Sequence, residues 1–290
     1  MIQSTVQLAR HGQAHGYAVA AVNILDDLSL RAAIAAAVEL SSPLIVQVSV
    51  KTARSIGVDL MTATFVAAAG PAPVPVALHL DHCPDRELIA AVVAAGWSSV
   101  LFDASNRDLA QAEAETGEVV ALAHAAGVDV ESEIENIIGV EDGVGSDTAL
   151  HAYSVEVLAE VAARTGVDLL APQLGTAHGS YTRAPVLLPE RVRALARLSD
   201  RPIVLHGGTG LSETDFRAFI DAGVSKINIS TGLKLAYMHA ARDHTQRAEA
   251  SGKWDPPAMF VDISRAVTDE VAQHLQIFGS AGRADAVAAR

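Results

Sequence analysis

The stretch PVALHLD, residues 75–81, is a nearly continuous apolar run that ends in a carboxylate. Similar runs occur at residues 44–48, LIVQV, and at residues 202–205, PIVL. Apolar runs without alternation are typical of parallel strands that are covered on both faces, as in α/β proteins. The stretch therefore predicts a buried parallel strand whose end carries a polar group.

Short β-branched runs bounded by turn residues recur along the chain, and they predict eight strands. These are Ala18–Asn23, Pro43–Ser49, Pro75–Asp81, Ser98–Asp103, Val128–Glu133, Asp168–Gly175, Pro202–Gly207 and Ser225–Ser230. Segments with helical periodicity lie between the strands. Because strand and helix alternate without a glycine- and serine-rich spacer, we predict an α/β fold with one (β/α)8 TIM barrel, a single domain over residues 1–290.

The ends of two helices can be read from the sequence. Asp27 is the expected N-cap of a helix over residues 26–40, and Ser212 and Asp215 have the spacing of a capping box. We expect a further helix before Ala18 to close the bottom of the barrel, and a helical C-terminal extension after Lys234. A doubly wound open sheet is the alternative, but it would need a glycine-rich turn after the first strand, and residues 23–27, NILDD, contain none.

The composition restricts the class of protein. Of the 290 residues 50% are hydrophobic and 19% are charged, which excludes a disordered chain. A formal net charge of −13 repels phosphate backbones and anionic lipid, so we expect no nucleic-acid partner and only small, locally bound anions. The single cysteine, Cys83, excludes an intrachain disulfide and a cysteine-built zinc site, which fits a reducing cytoplasm.

No secretory signal or membrane span is expected. The first residues lack the apolar stretch of a signal peptide, so we predict a cytoplasmic protein. Residues 60–80 contain no charged side chain and are long enough to span a bilayer, but Gly70 and three prolines interrupt them. We predict a helix, a turn and a strand there.

Three histidines fall at predicted strand ends. In a (β/α)8 barrel the carboxyl ends of the strands surround one mouth. His82, His178 and His206 follow the third, sixth and seventh predicted strands. Three neutral imidazoles with an open fourth position are typical of a catalytic zinc site, which cobalt or iron(II) could also occupy. We therefore predict a metal centre at the mouth.

Carboxylates lie beside these histidines. Asp81 adjoins His82, where it either orients the imidazole or acts as an acid/base group next to the metal. Asp103 and Glu133 end the fourth and fifth predicted strands. They either hold a second metal position or are buried and paired, because inward carboxylates need a cation or hydrogen-bond donors.

The last two strand ends have the composition of an anion site. Residues 206–210, HGGTG, lead from the seventh strand into a helix, and residues 228–231, NIST, end the eighth. Phosphate-binding barrels use these loops, with backbone N–H groups and a helix N-terminus as donors. The pattern predicts a phosphorylated ligand. Residues 139–147 predict a mobile loop, and its Glu141 can reach the mouth when the loop folds over it.

With these features the chain resembles the class II, metal-dependent ketose-bisphosphate aldolases, which include the fructose-1,6-bisphosphate and tagatose-1,6-bisphosphate enzymes. The matching motifs are HLDHC at 79–83, FDAS at 102–105, VESE at 130–133, GVEDG at 139–143, GTAHGSY at 175–181, VLHGGTG at 204–210 and KINIST at 226–231. The resemblance implies a lyase of carbohydrate metabolism, as in glycolysis. It would cleave a ketose 1,6-bisphosphate reversibly to dihydroxyacetone phosphate and an aldehyde phosphate.

The resemblance also implies the role of each site residue. His82, His178 and His206 would hold the catalytic Zn²⁺, and Asp103 and Glu133 would belong to a second metal position. Asp81 would be the acid/base at the carbon 4 hydroxyl, and Glu141 would exchange a proton with the enediolate. The contacts to the dihydroxyacetone phosphate half would come from Ser49, Gly179, Gly207, Gly208, Thr209, Asn228, Ile229, Ser230 and Thr231. Family members often bind a monovalent cation near the phosphate, and we expect a homo-oligomer, either a dimer or a tetramer.

The chain departs from the family at residues 135–138, ENII, where a glycine-containing run is common. Four other functions are alternatives. They are an aldolase for a different phosphorylated ketose, a Schiff-base aldolase using Lys226, a barrel hydrolase, and a noncatalytic sugar-phosphate-binding barrel. The hydrolase would need a His-x-His pair after the first strand, and the sequence has none there.

Overall fold

A computed structural model describes residues 1–141, 144–146, 150–179 and 184–285. Within these residues eight parallel strands close into a barrel in the order β1-β10-β9-β8-β5-β4-β3-β2. The strands are β1 Val19–Asn23, β2 Leu44–Ser49, β3 Val76–Cys83, β4 Ser99–Asp103, β5 Asp129–Glu133, β8 Leu169–Leu170, β9 Ile203–Leu205 and β10 Val224–Ile229. The predicted (β/α)8 barrel is confirmed.

Helices connect the strands and cover the barrel. They are α1 Thr5–His15, α2 Asp27–Glu39, α3 Val50–Ile56, α4 Val58–Ala69, α5 Arg86–Ala94, α6 Leu109–Ala125, α7 Val155–Thr165, α8 Pro189–Leu198, α9 Glu213–Ala222, α10 Thr231–Ser251 and α11 Pro256–Ile277. As predicted, a helix precedes the first strand and a helical extension, α10 and α11, follows the last. Across the described ranges, no helix has both the length and the apolarity needed to traverse a membrane.

The barrel interior changes from apolar at the bottom to polar at the mouth. At the bottom, Leu8 of α1 packs with Val19, Ile45 and Ala77 from the first residues of the strands. Further along β2 and β3, which are paired from Leu44↔Val76 to Ser49↔Asp81, every second residue turns a polar side chain inward. The helix α1 therefore closes the bottom, and the polar groups collect at the carboxyl ends.

The N-cap of α2 is Asp26 rather than the predicted Asp27. Asp26 has an extended backbone and its side chain accepts a hydrogen bond from the Ser29 amide at 2.8 Å, while the Ser29 hydroxyl completes a capping box. Asp27 is the first helical residue. Two adjacent aspartates can each cap a helix, so only the backbone conformation distinguishes them. The predicted capping box of Ser212 and Asp215 is present.

The sixth barrel strand is much shorter than predicted. Only Leu169–Leu170 pair as a strand, whereas the prediction extended to Gly175. The Ala171 amide still donates to the Ser132 carbonyl at 3.0 Å. Pro172 has no N–H group and cannot continue the ladder, so the chain leaves the sheet there. The segment that carries His178 is consequently a loop held by other contacts.

The segment over residues 139–147, predicted as a mobile loop, contains a hairpin. Gly139–Glu141 (β6) and Val144–Ser146 (β7) pair as antiparallel strands. Residues 142, 143 and 147 lie outside the described residues, as does the side chain of Glu141. The backbone of Glu141 is therefore paired with that of Val144.

Candidate functional site

A bulge in β3 brings two adjacent polar side chains to the mouth. Leu80 pairs with Val100 but Cys83 pairs with Phe102, so β3 has one residue more than β4 between these pairs. The extra residue lets both Asp81 and His82 face the site, with 4.0 Å between Asp81 Oδ1 and His82 Nε2. His82 has a φ of 43°, a strained conformation for a residue with a side chain. Such strain costs about 1–3 kcal/mol and is concentrated at functional sites.

The structure brings the three predicted histidines together. The ligand atoms of His82, His178 and His206 all lie within 4.8 Å of one another. His178 reaches the cluster from the loop after β8, where its amide donates to the Ile138 carbonyl at 2.8 Å. That contact lies at the base of the β6–β7 hairpin. The hairpin therefore helps to position a histidine of the cluster.

The orientation of His206 leaves one ring nitrogen facing the site. Its Nε2 lies 2.8 Å from Oε1 of Glu131, while its Nδ1 lies 3.3 Å from Oε2 of Glu133. Both Nδ1 of His206 and Oε2 of Glu133 are buried and have no hydrogen-bond partner among the described residues. Two lone-pair-bearing atoms that face each other in a buried site need a cation between them or beside them. The residues therefore fit a metal ion.

Carboxylates define a second position that shares His82. Its Nδ1 lies 3.4 Å from Asp103 Oδ2 and 3.7 Å from Glu133 Oε2, and the three groups form a second candidate metal cluster. Ser105 holds the other oxygen of Asp103, with its amide at 3.0 Å and its hydroxyl at 2.6 Å.

The pKa of His82 is raised well above its usual value. Burial opposes the charged form, but the neighbouring carboxylates of Asp81, Glu133 and Asp103 outweigh burial. The pKa of His206 is raised for the same reason, with Glu131 and Glu133 as the carboxylates. The site thus favours positive charge.

Two amide groups hold the carboxylate of Asp81. Asn23 Nδ2 donates to its Oδ2 at 2.8 Å and Asn228 Nδ2 donates to its Oδ1 at 3.3 Å. Gln47 in turn donates to Asn23 Oδ1 at 2.8 Å. Burial would raise the pKa of Asp81, but the charge of His82 and other neighbouring cations outweighs burial and lowers it. Asp81 is therefore an ionised carboxylate that two amide donors orient beside the histidine cluster.

A layer of buried polar residues, formed by His79, Glu131 and Lys226, lies beneath the site. Lys226 Nζ lies 2.8 Å from Glu131 Oε2 and donates to Asn228 Oδ1 at 2.7 Å. Burial would raise the pKa of Glu131, but the Lys226 charge outweighs it and holds the pKa well below its usual value. Burial, followed by the same Lys226 charge, lowers the pKa of His79 to about 3, so His79 is neutral.

Strand alternation is the signal that could have identified this layer. Glu131 lies two residues before Glu133, and Lys226 lies two residues before Asn228, so each pair shares the inner face of its strand. Lys226 was considered only as a Schiff-base residue. The structure shows it engaged with Glu131 and Asn228 inside the barrel.

The turn after β9 places backbone close to its neighbours. Gly207 has a φ of 68°, and a Cβ there would lie 2.5 Å from the Ala177 carbonyl oxygen. A Cβ at Gly208 would meet the Asn228 carbonyl oxygen at 3.1 Å. The Thr209 hydroxyl accepts a hydrogen bond from the Gly232 amide at 3.1 Å, which ties the turn to the first residues of α10. Glycine is required at Gly207 by both conformation and space.

The Ser230 hydroxyl is available for a ligand. It lies immediately before Thr231, the first residue of α10, and makes no capping hydrogen bond to that helix. Its Oγ is buried and unpartnered among the described residues. Since the N-terminus of a long helix attracts anions, Ser230, Thr231 and the turn over residues 207–209 together resemble an anion site.

Three other residues predicted to contact the ligand lie in different surroundings. Ser49 caps α3, accepting from the Thr52 amide at 3.3 Å. Gly179 has a φ of 83°, and no atom of the described residues lies within 4 Å of where a Cβ would be. The Ile229 side chain is part of the apolar core, so only its backbone can face a ligand.

Glu135 lies in the segment over residues 135–138 that departs from the family. Its buried carboxylate contacts three other parts of the chain. Its carboxylate accepts hydrogen bonds from the Tyr153 amide at 2.7 Å and the Gln173 amide at 3.0 Å. Arg191 Nη2 lies 2.7 Å and 2.9 Å from its two oxygens. The adjacent Asn136 accepts from the Leu150 amide at 2.5 Å. This carboxylate therefore fixes the chain on both sides of the β6–β7 hairpin and before the His178 loop.

The chain is similar in sequence and fold to known aldolases. A family model described as fructose-bisphosphate aldolase class-II matches residues 3–283. The crystal structure of the YdjI aldolase from Escherichia coli K12 is 27% identical, with a TM-score of 0.83 over 98% of this chain and 100% of that one. A putative fructose-1,6-biphosphate aldolase from Coccidioides immitis is 26% identical, with a TM-score of 0.89 over 97% and 98% of the two chains. The fructose-bisphosphate aldolase of Campylobacter jejuni, at 22% identity and a TM-score of 0.82 over 97% and 96%, is similar in fold.

Proposed function

The chain belongs to the class-II fructose-bisphosphate aldolase family, and we propose that it cleaves a ketose 1,6-bisphosphate, of the fructose or tagatose type, between carbons 3 and 4. The products are dihydroxyacetone phosphate and an aldehyde phosphate. The observation that carries this proposal is the oriented carboxylate of Asp81, 4.0 Å from His82 in the cluster of three histidines. Cleavage of a carbon–carbon bond next to a hydroxyl requires a base for the hydroxyl proton, placed beside a site that can hold a metal ion.

The metal is proposed to be Zn²⁺, held by His82, His178 and His206. When bound, it supplies a Lewis acid that stabilises negative charge on the substrate oxygens. Asp103 and Glu133 provide a second or alternative position with His82. Cobalt or iron(II) suits the same ligands. Family resemblance also suggests a monovalent cation near the phosphate, and a cytoplasmic enzyme that acts in glycolysis.

Asp81 is proposed to remove the proton from the carbon 4 hydroxyl. Its two oxygens accept from Asn23 and Asn228, which fixes the carboxylate plane while leaving it able to accept a further hydrogen bond. The aldehyde then departs. Glu141, on the β6–β7 hairpin, is proposed to return a proton to the remaining three-carbon enediolate, and closure of this segment would exclude water.

A comparison of substrates tests the proposed function. We expect zinc-loaded protein to release dihydroxyacetone phosphate from fructose or tagatose 1,6-bisphosphate. We also expect kcat/KM for the corresponding unphosphorylated ketose to be lower by at least about 10²-fold, because hydrogen bonds to a charged phosphate contribute about 1.5–3 kcal/mol each. A coupled assay for dihydroxyacetone phosphate measures both. Failure to cleave any ketose 1,6-bisphosphate would refute the proposal.

Ser230→Ala tests the proposed phosphate position. We expect KM for the bisphosphate to rise about tenfold with a smaller change in kcat, because a hydroxyl donor to a charged oxygen is lost. Steady-state kinetics measure the effect. Ser225→Ala is the matched control, since the Ser225 hydroxyl is also buried and has no hydrogen-bond partner among the residues described, but Ser225 lies near the start of β10, away from the mouth. Equal KM values in the two variants would place the phosphate elsewhere.

A further inference from the structure

Lys226 is a buried cation that the proposed chemistry does not use. It lies on β10 with no solvent exposure, and its ammonium group contacts Glu131 Oε2 at 2.8 Å and Asn228 Oδ1 at 2.7 Å. Glu131 lies on β5, which is not adjacent to β10 in the barrel, so the ion pair spans the interior. A lysine ammonium has three donors and no acceptor. Every group that contacts it must therefore present an acceptor.

This restriction orients Asn228. Because Oδ1 of Asn228 accepts from Lys226, its NH2 group points the other way, towards Asp81 Oδ1 at 3.3 Å. Without a donor on the Lys226 side, the amide could equally turn its oxygen towards Asp81. Two acceptors would then face each other in a buried position, which is unfavourable.

The same cation fixes the proton on His206. With Oε2 of Glu131 paired to Lys226, Oε1 of the ionised carboxylate accepts from His206 Nε2 at 2.8 Å. In the neutral form that can bind a metal, His206 thereby carries its proton on Nε2, and Nδ1 keeps its lone pair towards Glu133 and the other histidines. This is the tautomer that can ligate a metal through Nδ1.

We infer that Lys226 is a positioning residue for both the histidine cluster and Asp81. It acts by fixing the direction of the hydrogen bonds that reach them. By pairing with Glu131 it keeps the His206 lone pair on Nδ1, and by donating to Asn228 it keeps an N–H group on Asp81. The inference rests on the proposed metal position at the three histidines. It assigns to one buried ammonium a function that neither ion pairing for stability nor Schiff-base chemistry describes.

Glu131→Gln should weaken metal binding by reversing the hydrogen bond to His206. Lys226 can only donate, so it takes the amide oxygen of the new side chain and leaves the NH2 group facing His206 Nε2. That nitrogen must then accept, which moves the imidazole proton to Nδ1. We expect the affinity for Co²⁺ to fall about 10–100-fold, as for other changes behind a metal-ligating histidine.

The double variant Lys226→Met/Glu131→Gln should restore metal binding. Once the ammonium is gone, the amide can turn its oxygen to His206 Nε2 and its NH2 group towards His79 Nε2, which lies 3.8 Å from Glu131 Oε2 and is itself unpartnered among the described residues. We expect at least about tenfold tighter Co²⁺ binding than in Glu131→Gln, within the range of such indirect effects. Replacing the whole buried ion pair by neutral groups is tolerated far better than removing one partner.

The measurement is a chelator competition on the cobalt-loaded full-length protein, followed by the visible absorption bands of Co²⁺. Ser99→Ala, which removes a hydroxyl in contact with His79 in the same interior layer, should leave the affinity unchanged. If Glu131→Gln does not fold, Lys226→Met/Glu131→Gln is compared with Lys226→Met/Glu131→Leu. Both lack the ion pair, and only the first offers His206 an acceptor, so it should bind Co²⁺ more tightly.

Three results would overturn the inference. They are unchanged affinity in Glu131→Gln, a double variant that binds no more tightly than Glu131→Gln, and equal affinity of the two neutral double variants. If the wild type itself binds no Co²⁺, the proposed metal position fails and the inference fails with it. If the wild type binds Co²⁺ but the tautomer effects are absent, only the inference fails.

Discussion

In Asp81→Ala, carbon–carbon cleavage is expected to fall by about 10³-fold or more, within the range for loss of a positioned general base. The physical reason is that no other described carboxylate in the site has the same pair of amide donors and the same place beside His82. Dihydroxyacetone phosphate should still bind and exchange its carbon-bound proton with solvent, because the variant retains the three histidines and Glu141.

Glu141→Ala should behave in the opposite way. We expect proton exchange into dihydroxyacetone phosphate to collapse, because Glu141 is the proposed partner of that carbon. Deuterium incorporation followed by NMR measures exchange, and a coupled assay measures cleavage. Asp85→Ala is the control, since Asp85 lies four residues from Asp81 but caps α5 and pairs with Arg54 at the surface. Equal loss of exchange in Asp81→Ala and Glu141→Ala, with full metal content, would show that this division of roles is wrong.

Removing the metal is expected to abolish cleavage. A chelator should lower turnover by about 10³-fold or more, because the Lewis acid contributes several kcal/mol to stabilisation of the transition state. Added Zn²⁺ or Co²⁺ should restore it. His206 Nδ1 and Glu133 Oε2 are buried and have no hydrogen-bond partner within the described part of the chain, which is the structural reason to expect this dependence. Full activity in protein shown by elemental analysis to be free of metal would contradict it.

His178→Ala should lose both metal and turnover. The variant removes one of the three imidazoles in the cluster and leaves Asp81 in place. His124→Ala is the matched control, because His124 is an exposed histidine hydrogen-bonded to Asp168 on the outside of the barrel. Metal content and dihydroxyacetone phosphate release are measured on both variants. Retention of stoichiometric metal and full activity in His178→Ala would exclude His178 as a ligand.

Strand alternation and strand polarity made much of this site predictable. Side chains two residues apart share a face of a strand, and the carboxyl ends of parallel strands in a barrel meet at one mouth. For this reason the spacing of His82, His178 and His206 was sufficient to expect a cluster, and the structure brings them together. The glycine turn at residues 207–208 was recognisable from its composition, and Gly207 adopts the positive φ that glycine permits.

Local irregularities of the strands and helices could not be predicted from the sequence. The bulge that lets both Asp81 and His82 face the mouth depends on the register with β4, a long-range pairing. The sixth strand ends early because Pro172 lacks an N–H group, and the point at which the chain leaves the barrel depends on its pairing with β5. The choice of Asp26 over Asp27 as N-cap depends on backbone angles that two identical residues cannot reveal.

The sequence by itself determined which chemical groups each strand end carries, because alternation and order along a strand are local properties. Only the tertiary structure decided which of those groups meet and in which direction their hydrogen bonds run. Lys226 and Glu131 are on strands that are not neighbours, so they meet only when the barrel closes around its interior. Since a buried donor must find an acceptor, that closure then dictates the orientation of Asn228 and His206, and no pattern along the chain specifies it.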